Sequence, residues 1–491
     1  MKEYQHFSYL YQGRLALLTD LYQLTMANSY LKAGLADTEA NFHLFFRRIP
    51  FKGGFALSAG LEMVINFVKT FHFPQEDLDY LSSLKGDDEK SLFDEDFLTY
   101  LSTFKLTCDI DAIPEGTVVF PHEPLIRVQG PLIEAQLLET PLLNFINFPT
   151  LIATKAARLR LAAGTDSLLE FGIRRAQGVD GGLSATRSAY IGGVDATSNV
   201  LAGKLFGIPL RGTHAHSWVQ VFDEEIEAFR IFAENNPNNC TLLVDTYNTL
   251  QGVENAIRVG KNLKEKGIKL AGIRLDSGDF TYLSKKAREV LDREGFQDTQ
   301  IVVSNELDEW VIAELKSQGA NIDVWGVGTN LVTARDQPAL DGVYKLSAVR
   351  HPGEDWKSRL KLSEQMIKVS NPGILQVRRY SKDGFSQADV IYDELICDTE
   401  EHHEIVDPLD STRTKKLDGS FAYQDLLVPV FRKGKSVYDS PALDAIRKRS
   451  LEQLKTFHAG VKRFMNPHQY VVGMELKLYE KKIELIKSIR Q

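Results

Sequence analysis

The chain has 491 residues, 43% of them hydrophobic and 25% charged, which is the size for two or three domains and the composition of a globular enzyme. A formal net charge of −8 argues against a general nucleic-acid or anionic-membrane surface, so anionic ligands would be held by local arginines, lysines and backbone N–H groups. Three scattered cysteines, Cys108, Cys240 and Cys397, form no CxxC and suit a reducing cytoplasm rather than a disulfide framework. The stretch 1–14 lacks a basic start followed by an apolar core, and no run of about 18 apolar residues occurs. Neither a signal peptide nor a transmembrane helix is expected.

Residues 15–32 have the spacing of an amphipathic helix, with Thr19 or Asp20 as cap and Leu21, Leu24, Met26 and Tyr30 on the buried side. Residues 41–47 alternate and are rich in aromatics, which predicts a strand; a turn at 50–54 and a helix over 61–71 follow. Residues 74–104 read as acidic surface helices, with Asp87, Asp88, Glu89, Asp94, Glu95 and Asp96 on a solvated face. Pro and Gly punctuate 110–129 into short antiparallel strands, and 131–164 reads as two helices split near Pro149.

From Leu168 the rhythm changes. Strand-like runs recur at 168–172, 193–197, 208–212, 242–245, 270–275, 300–304, 323–327 and 343–348, several of them separated by helix-length patterns. Such alternation implies parallel strands, and seven or eight units predict a closed, irregular TIM-like α/β barrel. The expected division is an N-terminal α/β domain over 1–145, the α/β barrel over 146–350 and a β-rich and helical C-terminal extension over 351–491. That extension is expected to pack in part on the N-terminal domain, with residues 441–491 as basic helices.

The strand ends carry the chemistry. They read EFGIRR (170–175), DATSN (195–199), GTHAHS (212–217), VDTYN (244–248), RLDSGD (274–279), SNELDE (304–309) and GVGTN (326–330). Turns favour Asp, Asn, Ser and Gly, which explains one or two such ends but not seven, nor the Arg and His among them. The loops at 276–279 and 326–330 are small and hydroxyl-rich, so backbone N–H groups could approach a phosphate there. No GxxxxGK[ST] occurs, so ATP use would not be through a Walker-type loop. Of Arg174 and Arg175, which cannot easily face the same way, one is expected in the site and one in a structural role. His214 and His216, at i and i+2, would share a face as metal ligands do in barrel hydrolases. That alternative lacks later ligands, because His351, His402, His403, His458 and His468 fall outside the barrel ends. No protein metal site is assigned.

TDLYQLTM (19–26), EFGIRRAQG (170–178), GTHAHS, VDTYN, GIRLDSGDF (272–280), VSNELDE (303–309) and GVGTNLVT (326–333) together resemble nicotinate phosphoribosyltransferases, in the same order and over most of the chain from Leu18 to about Val349. The resemblance implies formation of nicotinate mononucleotide and diphosphate from nicotinate and 5-phosphoribosyl 1-diphosphate, coupled to ATP hydrolysis, as the first step of NAD salvage. It also implies a cytoplasmic homodimer that uses magnesium, with ATP as co-substrate, small-molecule substrates and no nucleic-acid or membrane partner. Carried over position by position, His216 would be the phosphorylated histidine, with an acidic neighbour, and Asp276 would share the catalytic work. Tyr22, Arg174, Thr213 and Arg274 would meet nicotinate. Ser277, Gly278, Ser304, Asn305, Gly326, Gly328 and Thr329 would meet the phosphoribosyl diphosphate. Relatives specific for nicotinamide or quinolinate on the same fold, a barrel metallohydrolase and a non-catalytic phosphate-binding protein are the alternatives.

Overall fold

The strand Glu39–Phe46 is buried on both faces from Ala40 onward, so its aromatic run needs a neighbour on each edge and cover above and below. In the computed structural model, which describes residues 15–397 and 403–491, it lies between two antiparallel partners, Gly342–Arg350 and Ile126–Pro131. The stretch 1–14, His402 and the side chain of His403 lie outside what is described. The chain divides into two compact units, Met1–Leu151 with Ala339–Gln491, and Ile152–Pro338.

The first unit holds a seven-stranded antiparallel sheet in the order Lys357–Ser358, Gly342–Arg350, Glu39–Phe46, Ile126–Pro131, Asp109–Ala112, Val428–Arg432, Lys435–Ser436. The run 343–348, expected as a barrel strand, is therefore a partner of Glu39–Phe46 instead. A six-stranded sheet drawn from 375–475 stands beside it in the same unit. The first helix is Leu21–Lys32; it buries Leu24 as expected, together with Gln23, Ala27 and Asn28, while Met26 and Tyr30 are half-buried and Leu21 is exposed. Gln23 is buried because its amide is paired with Glu139 at 2.8 Å and with Gln136. Asp20 sits at its N-terminus, but its carboxylate accepts from Thr140 Oγ1 at 2.8 Å instead of capping. The acidic stretch at 87–96 is largely solvated, with Asp94 capping the helix Glu95–Ser102 through the Phe97 N–H. The expected break at Pro149 is absent: one helix, Glu139–Ala163, runs through it, a proline costing one backbone hydrogen bond that burial of Ile146, Leu151 and Ile152 outweighs.

The second unit is built from βα repeats. Its strands are β1 (Ser167–Glu170), β2 (Ala196–Thr197), β3 (Thr241–Leu243), β4 (Gly272–Leu275), β5 (Gln300–Ser304) and β6 (Val324–Val327). They form a six-stranded sheet in the order β2-β1-β6-β5-β4-β3, parallel at each pairing. Short apolar runs such as VWGV in β6 are buried throughout, as strands covered on both faces must be.

The sheet is open, whereas the sequence pattern predicted a closed barrel. Among the described residues no backbone ladder joins β3 to β2. The run 208–212 supplies one parallel bridge, Thr197 to Leu210, in which Thr197 N–H donates to Pro209 O and Arg211 N–H to Thr197 O, each at 3.0 Å. Pro209 has no N–H to extend it. Side chains then span the remaining gap: Leu243 N–H donates to His214 Nε2 at 3.1 Å, and Asn239 Nδ2 donates to Gly212 O at 3.0 Å.

Candidate active site

In each βα unit the chain leaves the carboxyl end of a strand and must turn into a helix, and the last polar residue of the turn is often a cap. Asn199, Asn248, Asp279 and Asp308 each accept a backbone N–H from the first turn of the following helix. The polar residues nearer the strands are free of that duty. They converge on Arg274.

Arg274 is the third residue of β4, and its guanidinium makes three directed bonds. Nε donates to Ser304 Oγ at the end of β5 at 2.8 Å, Nη1 to Thr213 Oγ1 at 2.9 Å and Nη2 to Asp276 Oδ1 at 2.7 Å. Ser304 Oγ–H also donates to Asp276 Oδ1. The ring of Phe171 lies under the guanidinium, 5.8 Å from its carbon, which adds a cation–π contact. A Cβ on Gly326 would come within 2.7 Å of that ring, so glycine in β6 is what lets Phe171 occupy this place.

His216 opens the short helix His216–Gln220, with its side chain 39% exposed. Nδ1 lies 3.1 Å from Thr246 Oγ1, and Nε2 lies 3.9 Å from Asp276 Oδ2. Asp276 thus stands between the arginine and the histidine. Its own position is set by Asp245, whose Oδ2 accepts from Asp276 N–H at 2.8 Å and from Ser277 Oγ at 2.7 Å. Asp245 Oδ1 is buried with no hydrogen-bond partner. Asp245 and Thr246 were not singled out from the sequence, although the apolar-to-Asp step in VDTYN has the same form as the step to Asp276 in RLDSGD.

His214, by contrast, is buried and packs edge-on against Phe232 at 4.7 Å. Nδ1 faces Ala215 O at 3.2 Å while Nε2 accepts from Leu243, and burial pushes its pKa down to about 4. Both ring nitrogens are occupied, which leaves no lone pair for a metal ion. The paired-histidine metallohydrolase alternative loses its first ligand.

Glu170, at the end of β1, is fully buried and accepts from Gly172 N–H, Thr186 Oγ1 at 3.0 Å and Thr197 Oγ1 at 2.6 Å. Burial pushes its carboxyl up, and these hydrogen bonds pull it back. It ties the Ile173–Arg175 turn to the helix Gly178–Ile191 and to β2. Arg174 and Arg175 are both exposed, and neither side chain has a partner among the described residues, so the expected structural role for one of them is not seen. Asn305 and Glu306 turn the chain after β5 with φ of 84° and 48°, and Asn330 Nδ2 donates to Glu306 O and Leu307 O, joining this loop to the one after β6. Gly328 and Thr329 start the helix Thr329–Val332, and Gly278 turns with φ of 92°. Thr213, His216, Arg274, Asp276, Ser277 and Ser304 are thereby brought together. Tyr22 belongs to the first unit, half exposed on the helix Leu21–Lys32.

A parallel sheet that gathers an arginine, carboxylates, hydroxyls and a histidine at its carboxyl edge marks the chain as an α/β enzyme. Residues 17–147 match the nicotinate phosphoribosyltransferase N-terminal domain, 167–356 the nicotinate phosphoribosyltransferase family and 375–482 its C-terminal domain. A nicotinate phosphoribosyltransferase of Bacillus subtilis is 43% identical over 481 residues, spanning 97% of this chain and 96% of its own. The Homo sapiens enzyme of that name is 40% identical over 412 residues, 73% of this chain and 75% of its own. The crystal structure of human nicotinic acid phosphoribosyltransferase superposes with a TM-score of 0.83 at 32% identity, covering 95% of this chain and 99% of that one. A nicotinate-nucleotide pyrophosphorylase from Pyrococcus furiosus shares the fold, with a TM-score of 0.68 at 22% identity. The chain belongs to the nicotinate phosphoribosyltransferase family and is an enzyme of it.

Proposed function

We propose that this enzyme joins nicotinate to the phosphoribosyl group of 5-phosphoribosyl 1-diphosphate, giving nicotinate mononucleotide and diphosphate, and couples the transfer to ATP hydrolysis as the first step of NAD salvage. The observation that carries this is the Arg274 network, which sets a fork of donors, a carboxylate and two hydroxyls on one open strand edge. Arg274 uses three N–H donors of the five a guanidinium carries, which leaves donors for the nicotinate carboxylate. Arg174, assigned to nicotinate by the family resemblance, carries a guanidinium with no partner among the described residues. Tyr22, assigned by the same resemblance, carries a ring of the kind that stacks on a pyridine. Ser277, Gly278, Ser304, Asn305, Gly326, Gly328 and Thr329 form the loops assigned to the phosphoribosyl diphosphate.

The pyridine nitrogen attacks the anomeric carbon as the bond to diphosphate breaks, and the protein's share is positioning and charge stabilisation. In this reading Asp276, held by Asp245 and Arg274, accepts hydrogen bonds from the ribose hydroxyls. His216 acts separately: in the tautomer that donates Nδ1–H to Thr246 Oγ1, the Nε2 lone pair is free to take a phosphoryl group from ATP, releasing ADP. Hydrolysis of that N–P bond then returns the imidazole. Magnesium fits the donor set, because this ion is held by one or two carboxylates together with substrate phosphates and water, and Asp245 Oδ1 is a buried carboxylate oxygen without a partner. When bound it would neutralise charge on the departing diphosphate. Among the described residues no group of three or more His, Cys, Asp or Glu is placed to hold a metal by itself. The side-chain seam at His214 supports reading the sheet as part of an irregular TIM-like barrel. The family resemblance supports a cytoplasmic homodimer that acts on small molecules without nucleic acid or membrane. Among the described residues no helix is long and apolar enough to cross a membrane.

The test is product formation from 5-phosphoribosyl 1-diphosphate and magnesium with either nicotinate or nicotinamide, with and without ATP. Nicotinate mononucleotide formed faster with ATP, with ADP released alongside, is the expected result. In His216→Ala the ATP dependence should vanish while a slow uncoupled transfer persists. Turnover of nicotinamide alone would overturn the assignment of the arginines, and equal loss of both activities in a folded His216→Ala would overturn the division of labour.

A further inference from the structure

The C-terminal part of the first unit carries a cavity of about 590 Å³ that shares no residue with the Arg274 network. Four basic side chains line it, Lys382, His458, Arg463 and His468, against one carboxylate, Asp383. In a chain of net charge −8 this is a local excess of donors. Arg463 is exposed, and its guanidinium has no hydrogen-bond or ion-pair partner among the described residues. Among the described residues Lys382 has a 3.4 Å contact to Ser420 Oγ and a ring neighbour, Phe421.

The two histidines sit side by side, and one of them is fixed. Gly460 N–H donates to His458 Nδ1 at 3.0 Å, so the neutral ring carries its proton on Nε2 and presents a fixed donor. A Cβ on Gly460 would lie 3.0 Å from His458 Nδ1 and 3.1 Å from His468 Cβ, which shows how closely the two histidines flank this glycine. The other wall is aromatic. Phe385 lines the cavity with about half its surface exposed. Tyr470 is fixed by stacking on Phe120 at 4.3 Å, and its hydroxyl is committed to Asp389 at 3.0 Å, so it offers carbon rather than a polar group.

We propose that this cavity is a second ligand site, for an organic anion that carries phosphate on a flat ring system, the class of the nucleoside monophosphates. The phosphate lies among Arg463, Lys382 and the two histidines, where an arginine fork and a point-charge lysine supply charge-assisted hydrogen bonds. The ring lies on Phe385. The volume falls within the roughly 300–1,000 Å³ of small-molecule sites and far exceeds what a lone phosphate fills.

Full-length enzyme labelled with carbon-13 histidine tests it, with His458→Asn and His468→Asn assigning the two signals and AMP as the probe. Both signals should shift along one saturating curve with AMP and stay still with adenosine. Arg463→Ala should weaken AMP binding roughly tenfold, the equivalent of one charge-assisted hydrogen bond, and leave turnover measured without AMP at the parent rate. Lys382→Gln should weaken it by a similar factor and flatten its salt dependence. Signals that ignore AMP, or that report the same affinity in Arg463→Ala, overturn the site. Inorganic phosphate saturating the signals as tightly as AMP overturns the aromatic half of the proposal.

Discussion

Arg274 shows why an arginine, and not merely a positive charge, is needed at the end of β4. Three of its N–H groups point at three different acceptors from three segments, a geometry that a lysine's single ammonium cannot reproduce. Arg274→Lys keeps the charge beside Asp276 but loses at least two directed bonds. At about 1.5 kcal/mol each, kcat/KM should fall roughly a hundredfold, and the melting temperature should fall as well because the same bonds hold the fold together. Thr213→Val removes one neutral acceptor, worth about 1 kcal/mol, and should cost roughly fivefold. Steady-state kinetics with nicotinate separates these cases, and equal losses in the two variants would deny Arg274 its place at the centre. Sequence pattern located this cluster because Arg274, Asp276 and Ser304 follow apolar runs directly. It marked the strand end VDTYN without choosing a residue in it, and only the fold shows Asp245 under the Asp276 N–H.

At the level of elements, the parallel strands and their helices were legible, because short buried runs and amphipathic helices each carry their own period. The seam between β2 and β3 was not. His214 and His216 look like same-face residues only if GTHAHS is a strand, and it is not one: His216 already begins a helix, while His214 turns inward to receive the Leu243 N–H. That buried imidazole has a measurable consequence. Above about pH 6.5 it is neutral in both folded and unfolded chains, and its contribution is fully present. As pH falls from there towards about 4, the unfolded chain binds a proton that the folded one refuses, so stability drops; below about 4 both forms are protonated and no more is lost. Between pH 7 and 5 the parent should therefore lose about 2 kcal/mol more than His214→Gln, whose amide oxygen can still accept from Leu243. Urea denaturation of both proteins at the two pH values measures the difference. Parallel losses would mean that His214 titrates in the fold as it does in water.

For the whole molecule, the partner of a strand was harder to foresee than the strand itself. Alternation in residues 41–47 marks a strand, but nothing local says that Glu39 faces Arg350 in the ladder or that Asp111 will be a register partner of Pro429. The side chains confirm how closely the chain ends are knitted within the first unit. Phe42 stacks on Tyr344 at 4.8 Å, Tyr344 Oη donates to Ala135 O at 2.8 Å, and Asp111 binds both Arg127 at 3.0 Å and Arg432 at 2.6 Å. The second unit, by contrast, is one continuous segment. A chain ended after Pro338 would keep all six parallel strands yet strip Glu39–Phe46 of its partner Gly342–Arg350 and Asp109–Ala112 of Val428–Arg432. An unpaired, flat, apolar edge such as ANFHLFF is a template for aggregation, and removing Arg432 leaves Asp111 with one cation fewer. The truncated protein should therefore be recovered in the insoluble fraction, and any soluble remainder should melt without a cooperative transition. A soluble, monomeric product with a sharp thermal transition would mean that the N-terminal strands fold on their own and that the C-terminal segment only decorates them.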